Sequence, residues 1–412
     1  HNIAWSSRRD HKPMVIAPIG DIQWSGKRGS TAGDILKRHI DKCMKLDAWF
    51  LGTGDYPLPI AARILTKRGF LAHDEVQLGE RVLAYDVQLN RCVWTPLRRV
   101  NRPGRLSMLS LRSKSFAVRS TRQHTWVVTQ QWWKRSGVRK CYKIFAPYLV
   151  PAESLKKYHR ILVAVPVDDV PESVLTAEES RVLGWLCTDG FVKATPTTLC
   201  GYIFQTKEPY RTHLRGLLAE WVTSEEASQS TYSRFHIKTK RLRVLFETAH
   251  LNAERYKEQL PALVTCLSQE ARIAMWTAMV EAEGWQEGGH WRFSQKPGPV
   301  LETFRILSAL LGYRLSRGKL NKAGVVTVAV LDYRPFATVA DMRIESAEAE
   351  ECWCPVTDYG TWVAELDGQV TITGNTDFMS PSNRQRFKAA ALYESAEDVV
   401  DDAALELVHE LY

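Results

Sequence analysis

The sequence predicts a multidomain chain in which an α/β unit interrupts an all-β core, with α/β fragments on both flanks. Short apolar runs divided by Gly and Asn fill residues 57–170 and return over residues 341–375, which is typical of β-strands. Helical periodicity dominates residues 171–340 and occurs there twice. Strand, helix and strand patterns succeed one another over residues 1–56, and residues 376–412 follow the second β stretch.

Length and charge limit the classes of protein that the chain can represent. Its 412 residues allow two or three domains, and the net charge is +9. No apolar run is long enough for a transmembrane helix, and the start lacks the pattern of a signal peptide. The eight cysteines form no CxxC pair, which indicates a reducing cytosol rather than a disulfide framework. We therefore expect a cytoplasmic monomer that needs neither a membrane nor a protein partner.

A basic band spans residues 97–160, where sixteen Lys and Arg face a single acid, Glu153. Trp132, Trp133 and Tyr142 interleave with that charge. Basic and aromatic side chains together are typical of contact with a phosphate backbone. A solvated face whose tryptophans anchor in the core explains the same pattern, so both interpretations stay open.

The strand pattern of the first 56 residues places acids where ligands usually bind. An apolar run over residues 14–19 leads to Asp21 and Gln23, and a second run over residues 48–51 leads to Asp55. Ligands of βαβ units collect at the carboxyl ends of the strands. Two aspartates at such ends are suited to a pair of divalent metal ions.

The stretch from Cys352 to Thr376 carries three groups whose chemistry makes sense together. The Cys354 thiol is a potential nucleophile, since a thiolate is the best protein nucleophile near neutral pH. Asn375 can cyclise through its side-chain amide and cut the bond that follows it, and the Thr376 hydroxyl can receive an acyl group. The CxC pair lacks the second pair that a tetrahedral zinc site needs, so we expect Cys352 to be a buried strand residue.

Two further motifs resemble those of inteins, which excise themselves and join their flanks. The strand ending in Ile-Leu-Thr and the LGERVLAYD run at residues 78–86 resemble the opening block of that family. Counting back from this block places the first intein residue at Pro57, so that Tyr56–Pro57 is the first scissile bond. Thr121 and His124 match the TxxH block, which in the family polarises that bond. His124 is expected to protonate the departing nitrogen.

Four residues together resemble the class 3 inteins, which lack a nucleophile at their first position. Pro57 has no reactive side chain, and the class signature of Trp, Cys and Thr is present as Trp126, Cys354 and Thr373. The resemblance implies an all-β Hint (horseshoe) splicing domain in which Cys354 makes the first attack, with no cofactor.

The residue before Asn375 departs from the family pattern. Inteins usually have His at this place, but the chain has Gly374. Help with the cyclisation of Asn375 must then come from water, from the backbone or from another side chain.

The duplicated helical pattern of residues 171–340 resembles the LAGLIDADG homing endonucleases. One helix begins at a capping box, Thr176 to Glu179, and ends at Asp189, and a second ends at Glu283. Each acid is followed by Gly. In the family these last acids bind metal, so Asp189 and Glu283 are expected to hold Mg²⁺ and to cut double-stranded DNA. Alternatively, the unit is a relic whose acids only cap helices.

Removing residues 57–375 joins Tyr56 to Thr376 and produces the motif Gly-Asp-Tyr-Thr-Asp. With the upstream Gly-Asp-Ile-Gln, this product resembles the calcineurin-like metallophosphoesterases of a phage-type host. The resemblance implies a divalent metal pair at Asp21, Gln23 and Asp55, with Gln23 at the place of a common His. The later metal ligands of that family do not follow. Two alternatives therefore remain: a metallophosphoesterase with a secondary insertion, and a protein whose main activity is DNA cleavage.

Overall fold

The computed structural model describes residues 57–374 apart from 137–138, 170–172, 196, 228–231 and 332–334, together with the backbone of four short strands before residue 57. These are β1 (Trp5–Ser7), β2 (Pro13–Val15), β3 (Ala17–Ile19) and β4 (Phe50–Gly52). Strands β3 and β4 pair in parallel, as the predicted strand-helix-strand plan requires. The predicted metal ligands Asp21, Gln23 and Asp55 lie outside the described residues.

The chain from residue 57 to residue 169 is built of short strands, as its Gly-punctuated apolar runs predict. They are β5 (Leu58–Pro59), β6 (Arg63–Thr66), β7 (Gly69–Leu71), β8 (Arg81–Asp86), β9 (Arg91–Pro96), β10 (Arg99–Arg112), β11 (Ala117–Thr121), β12 (Thr125–Ser136), β13 (Arg139–Ile144), β14 (Tyr148–Pro151) and β15 (His159–Leu162). One 3₁₀ turn, Ala152–Ser154, separates the last two strands.

Residues 173–331, which we call the inserted part, contain both helices and strands. They are α1 (Ala177–Thr188), β16 (Gly190–Ala194), β17 (Leu199–Gln205), α2 (Glu208–Leu217), β18 (Val222–Ala227), β19 (Ser233–Ile237), α3 (Thr239–Thr248), α4 (Tyr256–Leu263), α5 (Gln269–Glu283), β20 (Gly284–Glu287), β21 (His290–Gln295), α6 (Pro299–Leu310), β22 (Lys319–Leu320) and β23 (Val326–Ala329). The predicted capping box starts α1: the Thr176 hydroxyl accepts from Glu179 N, and the Glu179 carboxylate accepts from Thr176 N.

Four strands complete the chain: β24 (Phe336–Thr338), β25 (Arg343–Val356), β26 (Thr361–Leu366) and β27 (Gln369–Gly374). They enter the sheets of the first segment, in the orders β11-β10-β25-β5, β27-β26-β6-β8-β9 and β13-β12-β15-β24. Residues 57–169 and 335–374 therefore form one unit, which we call the β part.

The chain returns to the β part earlier than residue 341, where the sequence predicts it. Strand β24 pairs with β15, and Val163 N donates to Pro335 O over 2.8 Å. We therefore place the end of the inserted part before residue 335. A strand of three residues is too short to show a period, which is why the sequence does not mark this boundary.

The inserted part consists of two similar halves, as the repeated helical pattern predicts. Each half has a four-stranded antiparallel sheet, β16-β17-β19-β18 in the first and β20-β21-β23-β22 in the second. In each half the order of elements is helix, two strands, helix and two strands. Two further helices, α3 and α4, lie between the two halves.

The helices α1 and α5 pack against each other along small residues. A β-carbon placed on Gly184 would lie 2.7 Å from Met275 O and 2.8 Å from the Ala278 β-carbon. Only glycine leaves room for the two backbones at this distance. This close contact brings the C-terminal ends of the two helices, and hence Asp189 and Glu283, to the same place.

The inserted part docks on the β part through buried charge and a shared apolar core. Arg63 of β6 donates to Glu365 of β26 and to Glu302 of α6, each over 2.9 Å. Where the chain passes from the β part into the inserted part, Asp169 accepts two hydrogen bonds from Arg272, over 2.7 and 3.0 Å. Burial alone would raise the pKa of Asp169, but the hydrogen bonds and charge of Arg272 hold it below its usual value.

Acids of the same chain neutralise the first portion of the basic band. Strand β10 pairs with the acid-rich β25, where Arg105 lies opposite Glu351. Arg119 contacts Glu350 and Asp367, at 2.7 and 2.8 Å. This pairing favours a solvated face over a phosphate-binding surface for residues 97–122.

No helix in the described part of the chain is long and apolar enough to cross a membrane. The six cysteines whose side chains are described are all free thiols.

Replacing Gly184 with Ala should destabilise the inserted part, because the added methyl forces α1 and α5 apart. We expect the free energy of unfolding to fall by about 1–3 kcal/mol, as measured by urea denaturation with tryptophan fluorescence. A Cys354→Ala background removes the nucleophile that is expected to start splicing.

Gly216→Ala is the matched control, since nothing lies within 4 Å of a β-carbon at that position of α2. It should leave stability unchanged or raise it by about 0.4–1 kcal/mol. Equal effects of the two substitutions would contradict the close packing of α1 on α5.

Candidate functional site

The first candidate site lies where β25 meets the start of the β part. Strand β25 pairs antiparallel with β5, so that Cys352 lies opposite Pro59 and Trp353 opposite Leu58. Continuing this register by one residue places Cys354 opposite Pro57. The predicted nucleophile therefore lies beside the first residue of the segment that it is expected to release.

The turn after β11 holds the backbone of Pro57. Thr121 N donates to Pro57 O over 3.4 Å, and His124 N donates to Thr121 O over 3.2 Å, which closes the turn. Pro57 and Thr121 are both buried. The TxxH motif thus forms a short turn that contacts the predicted first junction directly.

His124 is fully buried and fixed from three sides. Its Nε2 is hydrogen-bonded to the Thr373 hydroxyl, and its carbonyl accepts from Ala152 N over 2.8 Å. The ring of Trp126 stands edge-on to the imidazole with 4.9 Å between the centroids. These two contacts fix the orientation of the imidazole. Trp126 and Thr373, two residues of the predicted class 3 signature, therefore position His124.

The other end of the described segment reaches the same turn. Strand β27 pairs with β26, and its last residue, Gly374, packs against Thr125, the residue after His124. Thr121 and Thr125 thus contact opposite ends of residues 57–374 and flank His124 in the sequence. Tyr56, Asn375 and Thr376 lie outside the described residues. In the sequence Tyr56 precedes Pro57, Asn375 follows Gly374, and Thr376 follows Asn375.

Two thiols lie on β25, and their surroundings differ. Cys354 is 6% exposed and follows Trp353, which pairs with Leu58, so the continued register places it opposite Pro57. Cys352 is buried beside Met108, and its thiol donates to Glu350 O over 3.1 Å. The position opposite Pro57 therefore distinguishes Cys354 as the thiol suited to attack the first junction.

The second candidate site lies at the C-terminal ends of α1 and α5. Asp189 follows the last residue of α1, Glu283 is the last residue of α5, and both are half-buried. Burial and the charge of Glu283 raise the pKa of Asp189 to about 7, and burial also raises the pKa of Glu283. Each carboxylate is therefore costly to ionise in this pocket.

Two residues that sequence reasoning missed contact this acidic pair. The amide of Gln205, buried at the end of β17, donates to Asp189 Oδ2 over 3.0 Å. Lys207 donates to Ala282 O over 3.3 Å, and its charge opposes the rise of both carboxylate pKa values. The only signal in the sequence is a Gln and Lys close together after the second strand of each half.

The acidic pair fits a divalent cation, because a cation would relieve the cost of ionising two half-buried carboxylates. Asp189 and Glu283 would supply the protein ligands. No group of three or more acidic, His or Cys side chains suited to a metal occurs among the described residues. Other ligands of such an ion would therefore have to be water or substrate oxygens.

Comparisons with known proteins do not place the chain in a family. No family model and no curated protein matches it. The similar solved structures include the following. Mesophilic variants of the homing endonuclease I-DmoI have 18% identity and a TM-score of 0.29, covering 37% of this chain and 88% of theirs. The AceL NrdHF class 3 split intein has 8% identity and a TM-score of 0.30, covering 78% of this chain and 99% of its own.

A third similar structure is the LAGLIDADG homing endonuclease I-GzeII with its DNA target, at 10% identity and a TM-score of 0.22, covering 57% of this chain and 96% of that one. Structures of I-DmoI hold DNA with Mn or with Ca. TM-scores this low do not assign a function, so the function has to be inferred from the residues of the chain itself.

Asp189→Asn should stabilise the metal-free protein at alkaline pH. The folded pKa of about 7 lies above the value of about 3.9 for an unfolded aspartate. Protonated Asp189 therefore contributes to the free energy of unfolding. This contribution is fully present below pH ~4 and is lost as the pH rises through about 7. Melting temperatures in the Cys354→Ala background with chelator should show a larger gain for Asp189→Asn at pH 8 than at pH 5.

Asp358→Asn serves as the control, because hydrogen bonds from Arg98 lower the pKa of Asp358. The ionised Asp358 carboxylate stabilises the fold above pH ~4. Asp358→Asn should therefore not raise the melting temperature at pH 8. An Asp189→Asn effect that is equal at both pH values would contradict the raised pKa.

Proposed function

We propose that residues 57–375 excise themselves and join Tyr56 to Thr376. The observation that carries this proposal is the meeting of both ends of residues 57–374 at the turn that contains His124, with Cys354 one residue beyond the paired Trp353 and Leu58. A structural turn alone has no need to hold two ends so far apart in sequence beside a buried imidazole and a thiol.

In the first step Cys354 Sγ attacks the carbonyl carbon of Tyr56. A carbon–sulfur bond forms, the bond from that carbon to Pro57 N breaks, and the thiol proton is delivered to Pro57 N. His124, held by Thr373 and Trp126, is the group suited to move this proton. Thr121 N, which donates to Pro57 O, holds the leaving residue in place.

The following steps exchange one acyl linkage for another. The Thr376 hydroxyl takes the acyl group from Cys354, which regains its thiol. Asn375 Nδ2 then attacks its own carbonyl carbon, the bond to Thr376 N breaks, and residues 57–375 leave with a C-terminal succinimide. The free Thr376 amine attacks the ester and forms the Tyr56–Thr376 peptide bond. No cofactor or nucleotide is consumed, and loss of the excised segment makes the sequence irreversible.

The β part supplies the framework for this chemistry, and we propose that it is a Hint-type splicing domain. Its sheets combine strands from before and after the inserted part, so that the two segments of the splicing site are held in one fold. Identification of the flanks as parts of a phage-type metallophosphoesterase stays a prediction, and so do a monomeric state and a cytoplasmic location.

The acidic pair Asp189–Glu283 favours a second activity for the inserted part, Mg²⁺-dependent cleavage of double-stranded DNA. Two half-buried carboxylates with raised pKa values, beside Gln205 and Lys207, are suited to a divalent ion and a phosphodiester. This second activity is independent of the splicing site, because its residues lie at the ends of α1 and α5.

Cys354→Ala should leave the Tyr56–Pro57 bond uncut, since loss of a nucleophile slows such reactions by a factor on the order of 10⁶. Mass spectrometry of freshly synthesised protein would show neither the joined flanks nor the free excised segment, residues 57–375. The matched control is Cys352→Ala, two residues away on the same strand, which should still yield the joined product. Splicing by the Cys354→Ala chain would refute the assignment.

DNA cleavage can be tested with Mg²⁺ and a duplex that encodes the uninterrupted Tyr56–Thr376 junction. The protein should cut this duplex, and Asp189→Asn should cut it slower by a factor on the order of 10². Asp168→Asn, at a solvent-exposed ion pair with Arg91, is the control and should cut normally. An uncut duplex, or an unaffected Asp189→Asn variant, would contradict this activity.

A further inference from the structure

The final bond cleavage of the proposed reaction lacks an obvious helper in the sequence. Asn375 must cyclise, but the residue before it, Gly374, has no side chain that could orient the reacting peptide or exchange a proton. The contacts of Gly374 on β27 show which group occupies the space beside it.

Gly374 is a glycine because its surroundings leave no room for a side chain. A β-carbon at this position would lie 2.3 Å from the hydroxyl oxygen of Thr125, 2.7 Å from Thr125 O and 2.8 Å from the Leu149 Cδ2. Its φ lies outside the left-handed region, so backbone conformation does not require glycine there. The volume of the absent side chain is therefore filled mainly by Thr125, with its hydroxyl nearest.

Thr125 is fixed in this position by the fold. It begins β12, lies opposite Pro151 of β14, and is 5% exposed. It also follows His124 directly, so that one short stretch supplies both the imidazole and the hydroxyl. A buried hydroxyl can donate and accept hydrogen bonds at once, which suits a group that holds a peptide unit in one orientation.

We propose that Thr125 is the positioning residue for cleavage after Asn375, with its hydroxyl in the place that a side chain at residue 374 would otherwise take. This inference rests on the proposed splicing function and extends it to one step. The hydroxyl orients the Gly374 peptide that leads into Asn375 and favours the conformation in which Asn375 Nδ2 meets its own carbonyl carbon. The carbon–nitrogen bond of the succinimide forms, the bond to Thr376 N breaks, and one proton passes from Nδ2 to that nitrogen.

Thr125→Val tests the hydroxyl, because valine keeps the shape of threonine and removes its hydrogen-bonding group. Cleavage at Tyr56 should proceed at the normal rate, while cleavage after Asn375 should slow about tenfold, the effect of one lost hydrogen bond. The branched species should then accumulate. It has the same mass as the uncut chain, so it is recognised by the release of residues 1–56 when hydroxylamine cleaves its ester. Rates are measured by quantitative mass spectrometry of a time course, with and without hydroxylamine treatment of each sample, and melting temperatures show whether each variant folds.

Thr125→Ser retains the hydroxyl in a smaller side chain and should bring cleavage after Asn375 back to within a few-fold of the natural rate. The proposal is overturned if Thr125→Val releases the segment as fast as the natural chain. It is also overturned if the Val and Ser variants are equally slow, since the methyl group would then be what matters, or if cleavage at Tyr56 slows as much as cleavage after Asn375. Failure of splicing itself would be recognised separately, because the unmodified chain would then show neither cleavage.

Discussion

The pairing of β25 with β5 on one edge and with β10 on the other is the constraint on which the candidate splicing site depends. This pairing fixes the register that brings Cys354 opposite Pro57, although the inserted part separates them in sequence. Trp353, between the two cysteines, is fully buried. Its ring centroid lies 5.4 Å from that of Trp362, and its Nε1 donates to Ala62 O over 2.9 Å. A slip of one residue would turn this indole toward the opposite face and move the thiol away from the junction, so packing of one side chain maintains the position of the other.

The inserted part is tied to the same framework instead of hanging from a loose linker. Arg63 bridges β26 and α6, and Arg272 holds Asp169 where the chain leaves the β part. The apolar core of the inserted part continues into one face of the β part, so that Leu65 and Ile372 belong to the same cluster as the helices. Strand β27 carries both Ile372, which packs in this core, and Thr373, which is hydrogen-bonded to His124, so the core and the candidate splicing site share one strand.

How much of this arrangement could be predicted from the sequence depends on how local each signal is. The TxxH spacing encodes short-range geometry, and the structure brings Thr121 and His124 into one turn. Only the family resemblance predicted Trp126 and Thr373 beside His124, and the contact of Thr373 spans a long sequence separation. Gln205 escaped prediction because its contact with Asp189, 16 residues away, depends on the pairing of β16 with β17, which no motif marks. The return of the chain at β24 and the Arg63–Glu302 contact depend on how two folded units dock, and no periodicity records that. Gly374 looked like a missing histidine, and the structure shows instead a position that Thr125 leaves too small for any side chain.

Self-excision can be followed directly through the mass of the natural chain from the moment of its synthesis. The account predicts that the full-length mass gives way to two products: residues 57–375 ending in a succinimide, and residues 1–56 joined to residues 376–412. A chain that keeps its full mass under conditions in which it is folded would contradict the account. So would cleavage at either junction that never yields the joined flanks.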